Sequence, residues 1–294
     1  MKNQNEFVLT LSCKDTTGIV HAVSGLLYQA GCNIIDSQQF GDVQSEDSTG
    51  LFFMRVHFAA PDHLADAATL NNLFSHVQDQ FKMNAQIRAL ASKPRVLIMA
   101  SKHGHCLNDL LFRWRSGWLP VDIPAIVSNH PDYAELAASY GIPFHHLPLP
   151  TGSGAEVKRQ QEQQVEALVQ DQGIDLVVLA RYMQILSPEF CAFLKGRAIN
   201  IHHSFLPSFK GAKPYYQAHE RGVKLIGATA HYVTADLDEG PIIEQDIDRI
   251  SHRDQVEDLI QKGRDLERVV LSKAVRWHIE NRILLYANKT VIFD

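Results

Sequence analysis

The sequence has few cysteines, no long apolar run and no surplus of positive charge, and each lack excludes a class of function. Cys13, Cys32, Cys106 and Cys191 are its four cysteines, widely scattered and without a Cys-x-x-Cys pair. That spacing points to reduced thiols and away from a structural zinc centre. No apolar stretch approaches the roughly 20 residues that a membrane helix needs. Lys and Arg number 28 against 33 Asp and Glu, a net charge of -5. This balance argues against a nucleic-acid-binding surface as the main function. The chain opens Met-Lys-Asn-Gln-Asn-Glu and runs straight into a strand-like segment, with no apolar signal region. A cytoplasmic protein with no membrane partner is therefore expected. Internal repeats and low-complexity segments are also missing.

What is present is an ordinary soluble composition, 45% hydrophobic and 21% charged, over 294 residues, long enough for two domains. The first block runs to residue 90. Phe7 to Ser12 alternates like a strand, and Lys14 to Gly18 is a turn. Ile19, Val20, Val23, Leu26, Leu27 and Ala30 then recur at helical spacing, with Gly31 placed as a C-terminal cap. Asn33 to Phe40 and Gly50 to Phe58 read as strands around a polar loop holding Ser45, Glu46, Asp47 and Ser48. Leu64, Leu70, Leu73, Phe74, Val77 and Phe81 mark a second helix, and Ala85 to Leu90 a closing strand. The order βαββαβ is ferredoxin-like.

Residues 91–94, Ala-Ser-Lys-Pro, read as a linker, and residues 95–294 as a second domain. Arg95 to Ser101 is a near-continuous apolar run of the buried parallel type. Helix and strand then alternate through Cys106–Trp114, Ile123–Ser128, Tyr133–Tyr140, Pro143–Leu147, Glu156–Gln172 and Asp175–Ala180. This alternation predicts a doubly wound α/β sheet, whose sites lie beyond the carboxyl ends of its strands. Ala198–His202 and Leu225–Thr234 are further strands. Ile242–Ile247 is an antiparallel partner across the turn at 236–240, and Gln255–Ile279 is a long helix.

One constellation carries chemistry. Asn200 and His202 are two residues apart, so a strand points both to one side. Asp238 sits in a turn that can return to them. An amide can donate to a developing oxyanion, an imidazole can stabilise that charge or move a proton, and a carboxylate can take a proton from water or relay it to a leaving nitrogen. That is the equipment for hydrolysing or transferring a small acyl group. His231 is either a core histidine or an orienting group for the carboxylate loop. His203 either packs beneath the motif or touches substrate. His203, His219 and His231 match no zinc spacing, so no metal or other cofactor is expected.

Two resemblances sharpen this reading. The strand Phe7–Ser12, the Asp15-x-x-Gly18 turn and the sequence Ala30-Gly31-Cys32-Asn33-Ile34 make the first block similar to an ACT domain, a small-molecule-sensing module. The resemblance implies effector-binding residues Asp15, Gly18, Asn33 and Ile34, with an amino acid such as glycine or methionine as effector. The alternative is a structural module that only makes an oligomer interface. Such modules pair through sheets or helices, so a homo-oligomer, dimer or tetramer, is expected.

In the second block Asn200-Ile-His-His-Ser-Phe-Leu-Pro207, Gly211, Gly227-Ala-Thr-Ala-His-Tyr-Val233 and Asp236-Leu-Asp-Glu-Gly-Pro-Ile-Ile243 resemble the folate-dependent formyltransferase superfamily. The resemblance implies a Rossmann-like domain, catalytic Asn200, His202 and Asp238, and a folate-binding loop over Leu179–Ser187. Arg181, Tyr182, Met183, Ile185, Leu186, His231, Ala235 and Asp236 would then bind folate, with backbone groups around Ala235–Asp238 holding the polar edge of the pterin. The superfamily usually has Pro where this chain has His203. An ACT-like block fused to this core resembles the hydrolytic branch. That branch splits 10-formyltetrahydrofolate into formate and tetrahydrofolate, feeding purine synthesis and balancing the one-carbon pool. The loop Ser101-Lys-His-Gly-His105 also favours water as acceptor, because a phosphorylated amine would call for a glycine-rich cradle. The alternatives are transfer of the formyl group to an amine and a catalytically silent folate or amino-acid sensor.

Overall fold

The computed structural model describes residues 5–43, 48–150, 152–208 and 214–294. Ser45, Glu46 and Asp47 of the acidic loop, and Gly211 of the motif, lie outside them. The chain divides into two compact units. One contains residues 1–93 together with Glu280–Tyr286 and Thr290–Asp294; the other contains Pro94–Ile279 with Ala287–Lys289.

The first unit holds β1 (Glu6–Lys14), α1 (Ile19–Gln29), β2 (Asn33–Asp42), β3 (Leu51–Ala59), α2 (Ala67–Phe81) and β4 (Asn84–Ala89). Its sheet has the order β2-β3-β1-β4 with antiparallel neighbours. Alternate residues of β1, namely Phe7, Leu9, Leu11 and Cys13, pack with Val23, Leu27, Leu70, Phe74 and Val77 of the two helices. Gly31 sits just past α1 at φ +73, a left-handed position that glycine takes without strain.

The second unit holds β5 (Arg95–Ala100), α3 (His105–Arg115), β6 (Asp122–Ser128), α4 (Ala134–Ser139), β7 (Phe144–His146), α5 (Ala155–Asp171), β8 (Leu176–Ala180) and α6 (Pro188–Phe193). These are followed by β9 (Ala198–His202), α7 (Pro214–Glu220), β10 (Leu225–Tyr232), β11 (Ile242–Arg249) and α8 (Val256–Ile279). Seven strands form one sheet of order β11-β10-β9-β8-β5-β6-β7. The five from β9 to β7 are parallel, and β10 runs antiparallel to both β9 and β11. The strand order reverses between β5 and β8, so loops at the carboxyl ends of β8 and β9 open onto one crevice.

The last strands, β12 (Ile283–Tyr286) and β13 (Lys289–Ile292), correct the expected domain boundary. Most of this hairpin belongs to the first unit rather than the second. The reason lies on β3, where Leu51 and Phe53 point away from the helices. They pack with Leu284, Tyr286, Val291 and Phe293, and the Phe53 and Tyr286 rings lie 5.0 Å apart. Beside them the buried Arg55 donates from Nε to the Asn281 carbonyl and from Nη2 to the Glu280 carbonyl, each at 3.2 Å. The strand β3 is thus packed with apolar residues on both of its faces at this end. Phe293 is buried, so Phe293→Ala is expected to destabilise this unit by about 3 kcal/mol. Urea unfolding followed by near-ultraviolet circular dichroism checks this, and an unchanged midpoint would refute it.

Candidate active site

Asn200 and His202 project from the same side of β9, and β10 places His231 directly opposite Asn200. The carboxylate arrives from the turn after β10. Asp238 adopts a left-handed backbone, φ +56, which Asp tolerates better than most residues. Two positions later Gly240 is obligatory, because a Cβ there would overlap the Tyr232 carbonyl and lie 3.3 Å from His231 Nδ1. The turn therefore fixes the carboxylate against both imidazoles. Asp238 Oδ2 lies 3.2 Å from His202 Nδ1, and Oδ1 lies 3.7 Å from His231 Nε2.

The hydrogen bonds assign the tautomers. His231 Nδ1 donates to the Tyr232 carbonyl at 2.9 Å, which leaves its Nε2 to accept from the Asn200 amide at 3.2 Å. One Asn200 N–H is then spent on His231 and the other is free for the cleft. His202 gives its Nδ1–H to Asp238, while its Nε2 is buried without a hydrogen-bond partner among the described residues. Burial acts to raise the Asp238 carboxyl. The hydrogen bond from His202 Nδ1 outweighs it and holds the group well below the usual carboxylate range.

These side chains line a cleft of about 280 Å³, walled also by Arg181, Tyr182, Met183, Ile185, Leu186, Val233, Thr234, Ala235 and Leu237. Met183, Ile185 and Leu237 are 52%, 61% and 57% exposed, so an apolar rim is presented to whatever enters. The loop after β8 is pinned onto α5. Tyr182 donates its hydroxyl to Gln161 Oε1 at 3.1 Å, and Ser187 gives both its backbone N–H, at 2.8 Å, and its hydroxyl to the buried Glu162. Ser187 also caps α6 by accepting from Phe190 N at 3.2 Å.

Known proteins resemble both units. A family model described as formyl transferase matches residues 94–275, and the ACT domain model matches residues 7–73. The formyltetrahydrofolate deformylase of Corynebacterium sp. (strain P-1) is 50% identical over 295 residues, 99% of either chain. The chain belongs to the formyltetrahydrofolate deformylase family. The crystal structure of the family member from Burkholderia mallei ATCC 23344 superposes with a TM-score of 0.91 at 51% identity, over 99% of this chain and 100% of that one. A glycinamide ribonucleotide transformylase from Symbiobacterium toebii matches at a TM-score of 0.65 and 30% identity, over 70% of this chain and 97% of its own.

Of the residues singled out in the sequence, Asn200, His202, Asp238, Arg181, Tyr182, Met183, Ile185, Leu186, His231 and Ala235 all line the cleft. Asp236 does not. It is exposed, and its carbonyl accepts from Thr234 Oγ1 at 3.0 Å and from Glu239 N at 3.2 Å to close the turn. The four ACT residues are not brought together within one chain. Asp15 follows the end of β1 that pairs with Leu51, whereas Asn33 and Ile34 pair with Ala59 and Phe58 at the other end of β3. Eight residue steps of strand separate Leu51 from Ala59, roughly 26 Å. Gly18 caps the start of α1 at φ +99, on the Asp15 side.

Sequence reasoning overlooked Gln161 and Glu162, whose signal was a polar pair inside an otherwise apolar helix stripe. It left His203 open, and the structure gives that residue a surrounding. Its ring lies 5.2 Å from His202 and 6.0 Å from Tyr215. Burial, reinforced by the Arg181 guanidinium, pushes its pKa down to about 3. His203 is thus neutral at working pH. An unfolded histidine binds its proton near pH ~6.5, so the folded state loses stability as pH falls from about 6.5 toward 3. His203→Phe is expected to make urea stability less sensitive to pH between 7 and 4.5. An identical pH dependence in the variant would contradict the assignment.

Proposed function

We propose that the cleft hydrolyses 10-formyltetrahydrofolate to formate and tetrahydrofolate, with Asn200, His202 and Asp238 as its catalytic residues. The observation that carries this reading is the pairing of Asp238 with His202 Nδ1 while His202 Nε2 and one Asn200 N–H are left free in the same cleft. Full-length similarity to formyltetrahydrofolate deformylases supports the substrate.

The apolar rim at Met183, Ile185 and Leu237 suits a flat pterin, and the backbone around Ala235–Asp238 its polar edge. Water bonds to the formyl carbon as His202 Nε2 takes one of its protons, and the carbonyl oxygen becomes an oxyanion that accepts from Asn200. Asp238 steadies the imidazolium. A carboxylate held so far below its usual range is a poor base, so the proton goes to the imidazole rather than to Asp238. Collapse of the intermediate breaks the bond to N10, which receives the proton from His202. Formic acid leaves as formate once it ionises. No cofactor is called for by this sequence of steps.

The test adds amines to purified protein turning over 10-formyltetrahydrofolate. Formate production that is unchanged by glycinamide or ammonia supports water as acceptor; strict dependence on an amine would establish transfer instead. For the ACT unit we propose an amino-acid effector and self-association. A change in formate release on titrating glycine or methionine would support the effector, and no response would leave the unit to assembly alone.

A further inference from the structure

The hydrolytic mechanism leaves one charged wall of the cleft unused. Arg181 follows the last residue of β8 in a left-handed backbone, φ +63, an uncommon conformation for a long side chain. It is only 8% exposed, yet it lines the same cleft as Asn200, His202 and Asp238. Its Nε and Nη1 are buried and neither makes a hydrogen bond among the described residues. Buried guanidinium donors left unmade are expensive, and native folds rarely keep them without a partner.

The guanidinium is held in place from behind. Arg181 Nε lies 3.4 Å from Oε2 of Glu267, a residue of α8 that is 1% exposed. The same carboxylate accepts from Tyr215 at 2.7 Å and from His105 at 2.6 Å. The helix is built to let Tyr215 in, since a Cβ at Gly263, one turn earlier, would overlap the Tyr215 ring and hydroxyl. His105, Cys106 and Glu267 bring ligand atoms within 4.8 Å of one another. That cluster is not a cation site, because the Glu267 oxygens already serve a guanidinium and two hydrogen-bond donors. Glu267 balances the charge of a guanidinium whose donors are still unspent in the cleft it lines.

We propose that Arg181 is the subsite for the product anion: its guanidinium holds the carboxylate of formate as the reaction ends, and Glu267 is the positioning residue that aims it. The inference rests on the hydrolytic reading of the cleft. Formate is planar and two-pronged, as the guanidinium fork is. It is generated beside the Asp238 carboxylate, which repels it, and Arg181 supplies the opposing charge.

Binding of 13C-formate measured by NMR titration tests the subsite without turnover. The variants are Arg181→Lys, which keeps the charge without the fork, and the pair Arg181→Met with Glu267→Gln, which removes both charges so that neither is left buried alone. The double variant is expected to bind formate at least tenfold more weakly than the wild type, with Arg181→Lys between them. Glu267→Gln alone should weaken formate binding while leaving the affinity for tetrahydrofolate unchanged. Should the double variant fail to fold, the lysine variant decides: wild-type formate affinity there overturns the proposal. An enzyme that hydrolyses normally while every variant binds formate as the wild type does refutes the subsite alone. A wild type that releases no formate refutes the reading beneath it.

Discussion

Asp238→Asn is expected to lower kcat for formate release by about 10⁴, with the fold and folate affinity retained. The substitution keeps the volume and the left-handed backbone that the turn demands at this position. What changes is the partner of His202 Nδ1. A carboxylate can only accept from that nitrogen, and so holds the imidazole with its Nε2 lone pair toward the cleft. An amide can donate to Nδ1 instead, which turns the proton to Nε2 and removes the base. It also withdraws the negative charge that stabilises the imidazolium while the proton is carried from water to N10. Both losses fall on the transition state, so kcat should drop with little change in KM. Pre-steady-state formate assays beside tetrahydrofolate binding separate the two quantities. A variant that retains more than a tenth of the wild-type kcat would remove Asp238 from the catalytic set.

The second large effect is expected at Asn200. Removing one oxyanion donor commonly costs about 3 kcal/mol, a fall of 10² to 10³ in kcat. Asn200→Ala should show a loss of this size because the amide N–H not taken by His231 is the donor assigned to the developing charge. The same change leaves His231 Nε2 without its donor, so a small additional loss of stability is expected. Asn200→Asp distinguishes the two contributions. It preserves the volume but sets a negative charge where the oxyanion forms, and it should be slower still than the alanine variant. Equal activity in both would point to a purely structural role for Asn200.

Much of the fold was legible because its elements carry their own periodicity. The strand Ala198–His202 has the same bounds in sequence and structure, and the alternation that defines it also places Asn200 and His202 on one side. The apolar spacing of Val256, Leu259, Ile260, Leu266, Val269 and Val270 marked the long helix in the same way. What escaped the sequence depends on contacts between distant residues. Ile283–Tyr286 and Lys289–Ile292 are too short to declare a partner, and Phe53, which covers them, lies far away in the chain. Glu267 sits within the buried stripe of α8, where a lone carboxylate was the signal that something must neutralise it. Its partners come from three other places in the chain, which no local pattern reveals.

The candidate site shows the same division. Residue types and their order pointed to Asn200, His202 and Asp238 as a set, but not to the division of labour among them. The sequence left Asp238 able to take or relay the proton. The hydrogen bond from His202 Nδ1 depresses its basicity, and so the proton falls to His202. Within one chain the four ACT residues stand apart for a plain reason: Asp15 and Asn33 lie toward opposite ends of a strand roughly 26 Å long.

The most direct test of water as the acceptor is to incubate the purified chain with 10-formyltetrahydrofolate in 18O-labelled water, with no amine present, and to follow formate and tetrahydrofolate together. Hydrolysis predicts the two products in equal amounts, with one labelled oxygen in each newly formed formate. No formate until an amine is added, followed by its N-formyl derivative in place of formate, would contradict the account.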